Sequence, residues 1–255
     1  MKQFHHAAAS SLARSCLARF LFLSCLTALP LSAQAGAYED METAMIRRNT
    51  SDVIDLLKRG MDVNTVDRQG DTLLIQAVRE DMPELFDALL KRRPRLDFRN
   101  RSGETAISIA AYLGKLEYVR RLAEAGARID FPGWPPLAYA AFNNHPQVVE
   151  YLIEKGANVN ARTETGATPL FLAARYGHTD IVKLLLKHHA DPSIADQRQE
   201  TAIDAAQKAE NNGATIELLR AAGARSGKDK DKDKDAGKDN EPDAQPQPQP
   251  AAPPT

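Results

Sequence analysis

Thr165-Gly-Ala-Thr-Pro-Leu-Phe-Leu-Ala-Ala-Arg-Tyr-Gly-His-Thr-Asp-Ile-Val-Lys-Leu-Leu-Leu-Lys-His-His-Ala-Asp191 reads as one complete supersecondary unit. Gly166 sits in a tight turn. Thr168 caps a short helix, and Pro169 stands at its first turn, where a missing N–H costs nothing. Leu170, Leu172, Ala173 and Ala174 give that helix a small, closely packing face. Tyr176-Gly177-His178 breaks it. Thr179 is the expected cap of a second helix, in which Ile181, Val182, Leu184, Leu185 and Leu186 recur at helical spacing. His188-His189-Ala190-Asp191 ends the unit in an extended loop.

The same grammar repeats along the chain. Turn glycines stand at Gly70, Gly103, Gly133 and Gly166, with gaps of 33, 30 and 33 residues. Helix openings fall at Thr72, Thr105, Pro135, Thr168 and Thr201, and the second helices stop at Gly60, Arg93, Gly126, Gly156, His189 and Gly223. A fixed period of this length outweighs the propensity of any single segment. Six units are countable, and the outer two are atypical. In the first, a helix around Tyr38–Arg48 presents Met41, Ala44, Met45 and Ile46, and a second follows Ser51 as cap. In the sixth, the polar run from Gln207 to Asn212 suits a terminal cap over the last apolar seam.

Thr168-Pro-Leu-Phe-Leu-Ala173 resembles the T-P-L-H-x-A motif of ankyrin repeats, with Phe171 in place of histidine. With its recurrence and period, this resemblance implies an all-α solenoid of about six helix-turn-helix units joined by short β-hairpin-like loops. It covers about residues 37–225, within an expected repeat domain of 36–225. Ala77, Ala110, Ala111, Ala140, Ala141, Ala173 and Ala174 are then core positions that let the first helices approach closely. The resemblance also implies a concave groove lined by first helices and projecting loops, rigid before a partner arrives, so that little ordering entropy opposes binding.

The termini read differently. Residues 1–35 resemble a secretory signal: Lys2, Arg14 and Arg19 precede the apolar run Phe20–Leu31, and Ala33-Gln34-Ala35 is an A-x-A cleavage site before Gly36. An uncleaved amphipathic anchor, or a lipoprotein built on Cys25, are the alternatives. Export implies the periplasm or the outside, with no membrane insertion after cleavage. Cleavage would remove both cysteines and leave 30 basic against 34 acidic residues, a net charge of −4. Neither a nucleic-acid partner nor an anionic membrane is indicated by so small a charge. Within residues 226–255, Lys228 to Asp235 alternates Lys with Asp and Gln245 to Pro250 alternates Gln with Pro, which cannot bury a core; disorder is expected there, as a solvated tail or a docking strip.

No chemistry-bearing constellation emerges. The resemblance places His178, and His145 equivalently in repeat four, at the ankyrin position between paired helices and implies a ring that satisfies backbone groups. His188-His189 is adjacent rather than i, i+4, so zinc spacing is absent. There is no phosphate-binding loop, no dinucleotide fingerprint and no G-x-S-x-G. No catalytic residue, cofactor or metal is assigned. Specificity is expected at positions around the turns and after the Ala-Ala pairs: Arg68, Arg79, Arg101, Tyr112, Phe131, Trp134, Phe142, Arg175 and Tyr176. Aromatics and arginines dominate binding hot spots.

Repeat four stands out. From Gly156 to Thr168 there are twelve steps, but from Gly126 to Pro135 only nine. The loop Ile129-Asp-Phe-Pro-Gly-Trp134 is thus three residues short, leaving a notch in the row of loops. Phe131 and Trp134 either line that notch as partner anchors, or Trp134 folds back over core that the deletion exposes. The sequence reading is a monomeric, non-catalytic periplasmic scaffold or adaptor that binds another protein. An immunity-type inhibitor of a toxic periplasmic enzyme is the alternative.

Overall fold

The computed structural model describes residues 31–209 and 212–227. They fall into two compact units, one ending at Thr65 and one beginning at Val66. The expected signal segment and tail lie outside the described residues, apart from 31–35 and from Ser226 and Gly227.

The first unit holds α1 (Leu31–Ile46) packed on α2 (Thr50–Lys58). Helix α1 begins well before Tyr38, because the Leu, Ala and Gln residues preceding it favour a helix and nothing stops it. Met41, Ala44 and Met45 are buried at i, i+3 and i+4, whereas Ile46, expected on the same face, is 83% exposed. It falls one step around the helix from the buried stripe. The cap of α2 is Asn49 rather than Ser51. Asn49 accepts the Asp52 N–H at 3.4 Å and the Ser51 hydroxyl at 2.7 Å.

Five helix pairs make the second unit: α3 (Leu73–Arg79) with α4 (Pro83–Leu90), α5 (Ala106–Tyr112) with α6 (Leu116–Glu124), and α7 (Pro136–Phe142) with α8 (Pro146–Glu154). The last two are α9 (Pro169–Arg175) with α10 (Thr179–Lys187) and α11 (Ala202–Gln207) with α12 (Gly213–Ala221). The first helices pack in a row from α3 to α11, and second helices pack alongside from α6 to α12. This is the expected all-α solenoid. Among the described residues no strand forms; Val66 and Thr72 make one isolated antiparallel bridge. The alanines read as core are all completely buried.

Local chemistry sets the ends. Thr72, Thr105 and Thr168 each accept the N–H three residues on, at 3.3, 3.3 and 3.1 Å, closing donors that a helix start leaves open at about 1 kcal/mol each. All six stop positions adopt left-handed backbone, with φ from 53° at Arg93 to 103° at Gly60.

Polar ties lock successive repeats. Lys115 Nζ donates to Val78 O at 2.8 Å, and Asn212 Nδ2 donates to Ala174 O at 2.6 Å. His145 Nε2 stands 2.9 Å from Tyr112 O, and His178 Nε2 stands 2.9 Å from Phe142 O. A carbonyl only accepts, so each ring nitrogen carries the proton. These four residues precede second helices, and each satisfies carbonyls freed at the end of the previous first helix. His178, not Thr179, is therefore the residue flanking α10; Thr179 turns its hydroxyl to Thr215 at 2.8 Å. A second row of ties runs through the loops. Asp97, Asp130 and Asn160 accept the backbone N–H groups of Arg128, Asn158 and Asp191 at 2.9, 3.0 and 2.9 Å.

Gly114 shows how tightly the ties are built. It has φ +70°, and a Cβ there would lie 2.4 Å from His145 Nδ1. Gly114→Ala should therefore strain the backbone and expel the ring from Tyr112 O, costing about 1–3 kcal/mol. A urea midpoint unchanged from wild type would contradict this.

The last helix pair is closed by chain beyond the expected boundary. Asp204 accepts the Gly227 N–H at 2.8 Å, the Ser226 hydroxyl at 2.5 Å, and the Thr201 N–H and hydroxyl at 2.9 and 2.8 Å. Burial alone would raise the carboxyl's pKa; these hydrogen bonds outweigh it and hold the pKa below the ordinary value. The sign follows from linkage. A depressed carboxyl stabilises the fold fully above its unfolded pKa of about 3.9, and that stability drains away as pH falls through the lower folded value. Exchange protection of the Thr201 and Gly227 amides should thus collapse below about pH 4. In Asp204→Asn it should be weak at every pH; an equally steep acid loss in that variant would contradict the assignment.

Candidate functional site

The loops differ between repeats in one decisive way. Asp67, Asn100 and Asp196 each accept two backbone amides of their own turn, at 2.8–3.0 Å, and Thr163 accepts that of Ala167 at 3.1 Å. Backbone bonds Asp67–Asp71, Asn100–Glu104, Thr163–Ala167 and Asp196–Glu200 then close four projecting turns. In repeat four Asp130 stands at this position, three residues before Gly133 and five before Pro135, but its carboxylate accepts the Asn158 N–H instead, and among the described residues no such closing bond is made by its own backbone. An opening remains, with the Glu104 loop on one side and the Glu164 loop on the other.

Rings occupy that opening. Tyr112 meets Tyr139 edge-on, centroids 5.9 Å apart, and Tyr139 lies 5.2 Å from Trp134. Trp134 meets Phe142 edge-on at 5.9 Å, Phe142 meets Tyr176 at 4.7 Å, and Tyr176 stacks on His178 at 6.2 Å. The strip runs unbroken over repeats three to five. Trp134 and Phe142 are half-buried against Ala138, Ala167, Phe171, Leu172 and Ala205. Among the described residues five large hydrophobics are exposed, and two of them, Tyr112 and Tyr176, belong to this strip, with Leu113 next to Tyr112 in the chain. Edge-to-face pairs contribute about 0.5–1.5 kcal/mol each beyond area, so the rings are fixed in advance of any contact.

The nine residues picked from sequence do not all join. Tyr112, Trp134, Phe142 and Tyr176 come together in the strip, with Arg175 exposed beside the Tyr176 ring at 6.0 Å. Arg79 is bound instead in a network, 3.0 Å from Asp71 and 3.5 Å from Glu104, while Asn100 Nδ2 donates to the same two carboxylates. Phe131 parts company with Trp134: the Arg99 guanidinium lies over its ring at 4.7 Å and donates to Pro132 O at 3.0 Å. Arg101 lies on the exposed loop edge against Gly70, and Arg68 is exposed on the neighbouring turn.

Tyr139 is the member that the motif reading missed. Its equivalents are Gln76, Ile109 and Leu172; Ile109 and Leu172 are buried, whereas Gln76 and Tyr139 are half-buried. A tyrosine where repeats three and five carry Ile109 and Leu172, next to a shortened loop, was the available signal. Burial first, then the Glu104 and Glu164 carboxylates and Tyr112, pushes its phenol up to about 12.

Among the described residues no group of three His, Cys, Asp or Glu is placed to hold a metal ion, and no helix is long and apolar enough to cross a membrane. A polar recess of about 180 Å³ opens beside Asp204, lined by Glu200, Lys208 and Ser226 among others, in repeat six and away from the rings.

Comparison with known proteins agrees with this architecture. A family model described as ankyrin repeats (3 copies) matches residues 41–132, 74–163 and 137–232. The B-cell lymphoma 3 protein homolog of Mus musculus is 31% identical over 179 residues, covering 67% of this chain and 39% of that protein. The E3 ubiquitin-protein ligase KEG of Arabidopsis thaliana is 33% identical over 140 residues, 52% of this chain but 9% of the ligase. The nuclear factor NF-kappa-B p105 subunit of Gallus gallus is 31% identical over 162 residues, 60% of this chain and 16% of that protein. The chain thus spans well under half the length of these relatives.

Proposed function

The chain belongs to the ankyrin-repeat family, whose repeats mediate binding to other proteins, and from that premise we propose that it is a non-catalytic scaffold or adaptor acting in the periplasm as a monomer. The strip Tyr112–Tyr139–Trp134–Phe142–Tyr176 carries this reading. It is aromatic, partly exposed, fixed by packing, and central in the row of first helices, which are the properties of a hot-spot cluster. A standard interface of about 800 Å² per partner is accommodated by several adjacent repeats. Export rests on the basic start, the apolar run Phe20–Leu31 and Ala33-Gln34-Ala35.

The mechanism is presentation of a preorganised surface. The ties through Lys115, His145, His178 and Asn212 hold each repeat on the last, so the rings pay no ordering cost when a partner docks. The test is to assay a captured partner with and without the purified chain. Activity that persists or rises fits a scaffold. Complete loss at one-to-one stoichiometry would replace it by the immunity-type inhibitor, and turnover by the purified chain itself would contradict the non-catalytic reading.

A further inference from the structure

Building on the docking reading of this face, we infer that the notch of repeat four is a subsite for a cationic side chain, an arginine or lysine carried by an extended stretch of the partner. The floor is Trp134 and Tyr139, tilted 37° to one another at 5.2 Å. The wall is Glu164, exposed on the loop of repeat five, with Oε1 3.4 Å from where a Cβ on Gly133 would stand. Ring faces are negative and attract a cation above them, and a carboxylate at the ring edge completes its neutralisation.

The neighbouring charges leave this place open to a cation from outside. Glu104 is engaged by Arg79 and Asn100. Arg99 Nη1 lies 3.9 Å from the same point at Gly133, but its guanidinium is held over Phe131 and by Pro132 O. Arg175 stands at the far end of the strip, beside Tyr176. Glu164 forms no ion pair among the described residues; the one bond recorded for it uses its backbone carbonyl, which accepts from Gln197 Nε2 at 2.6 Å. Burial first, and then the Glu104 and Glu164 carboxylates, raises Tyr139's phenol pKa, in keeping with a site of negative potential. Selection then works by penalty as well as attraction. A neutral side chain would strip water from Glu164 without replacing it, and an acidic one would meet a like charge.

Trp134 is the chain's single tryptophan, so the subsite carries its own reporter. The experiment selects a decapeptide library, randomised at every position, on the full chain, and titrates the selected peptides against Trp134 emission. The expected pool has Arg or Lys fixed at one position, shifts Trp134 emission, and loses about fivefold in affinity when that position becomes Gln. In Glu164→Gln the preference for Arg or Lys over Gln should shrink by about the same factor, with an unchanged melting temperature. Peptides that shift Trp134 emission without any charge preference, or whose preference survives Glu164→Gln intact, overturn the cation subsite while leaving the docking face standing. A library that yields no peptide on this face overturns both.

Discussion

Phe86→Ala is expected to destabilise the second unit by about 3–5 kcal/mol, the largest effect of any single truncation considered. Phe86 is fully buried in α4. Its ring meets Tyr118 of α6 edge-on, 4.7 Å between centroids, and Arg121 lies over it at 5.0 Å while pairing with Asp87. One side chain therefore joins the second helices of repeats two and three. Tyr118 depends on the same contact: burial, and then its hydrogen bond to Asp81 at 2.9 Å, raises its phenol pKa. Because stacked repeats are stabilised mainly by their neighbours, the damage should be local before it is global. Amide exchange should speed up first in α3 to α6, with α9 to α12 retaining protection. Uniform loss of protection along the whole unit would mean that the repeats do not behave as coupled nearest neighbours.

Trp134→Ala should lower partner affinity about 30-fold or more, the size of a central aromatic hot spot. Its effect on folding should be smaller. The ring is half-buried, so the cost should be about 1–2 kcal/mol, and the melting temperature should fall by about 5 °C. The ratio of the two effects is the informative quantity. Trp134 both covers the Ala138–Phe171–Leu172 cluster and lines the opening, and a ring in that position serves folding and docking together. A large fall in melting with unchanged affinity would reduce Trp134 to a patch over the core.

What could be read in the sequence follows from how local the physics is. Thr72, Thr105, Thr168 and the left-handed stops were legible because a cap or a positive φ is decided within four residues of chain. The two misplaced caps differ in cause: Asn49 and Ser51 are both cap-forming residues within one turn, whereas the other misreading is not local. At His178 the decisive partner, Phe142 O, lies one repeat away, so a local reading chose Thr179. Phe131 and Trp134 looked equivalent in the short loop until Arg99, from the preceding repeat, took one of them. Arg79 looked like a free hot spot because its acidic partners, Asp71 and Glu104, belong to different turns. Ser226 and Gly227 read as tail because only the fold brings them to Asp204. The shortened loop, by contrast, was visible by counting, and it led to the opening where the rings gather.

The most direct measurement is a paired affinity capture from periplasmic extract. One bait is the Gly36–Thr255 chain, and the other is the same chain with Tyr112→Ser, Trp134→Ala and Tyr176→Ser together, matched by circular dichroism. A partner held one-to-one by the first bait and absent from the second is the expected result. A partner retained equally by both would show that binding takes place elsewhere on the chain, and the account of this face would be wrong.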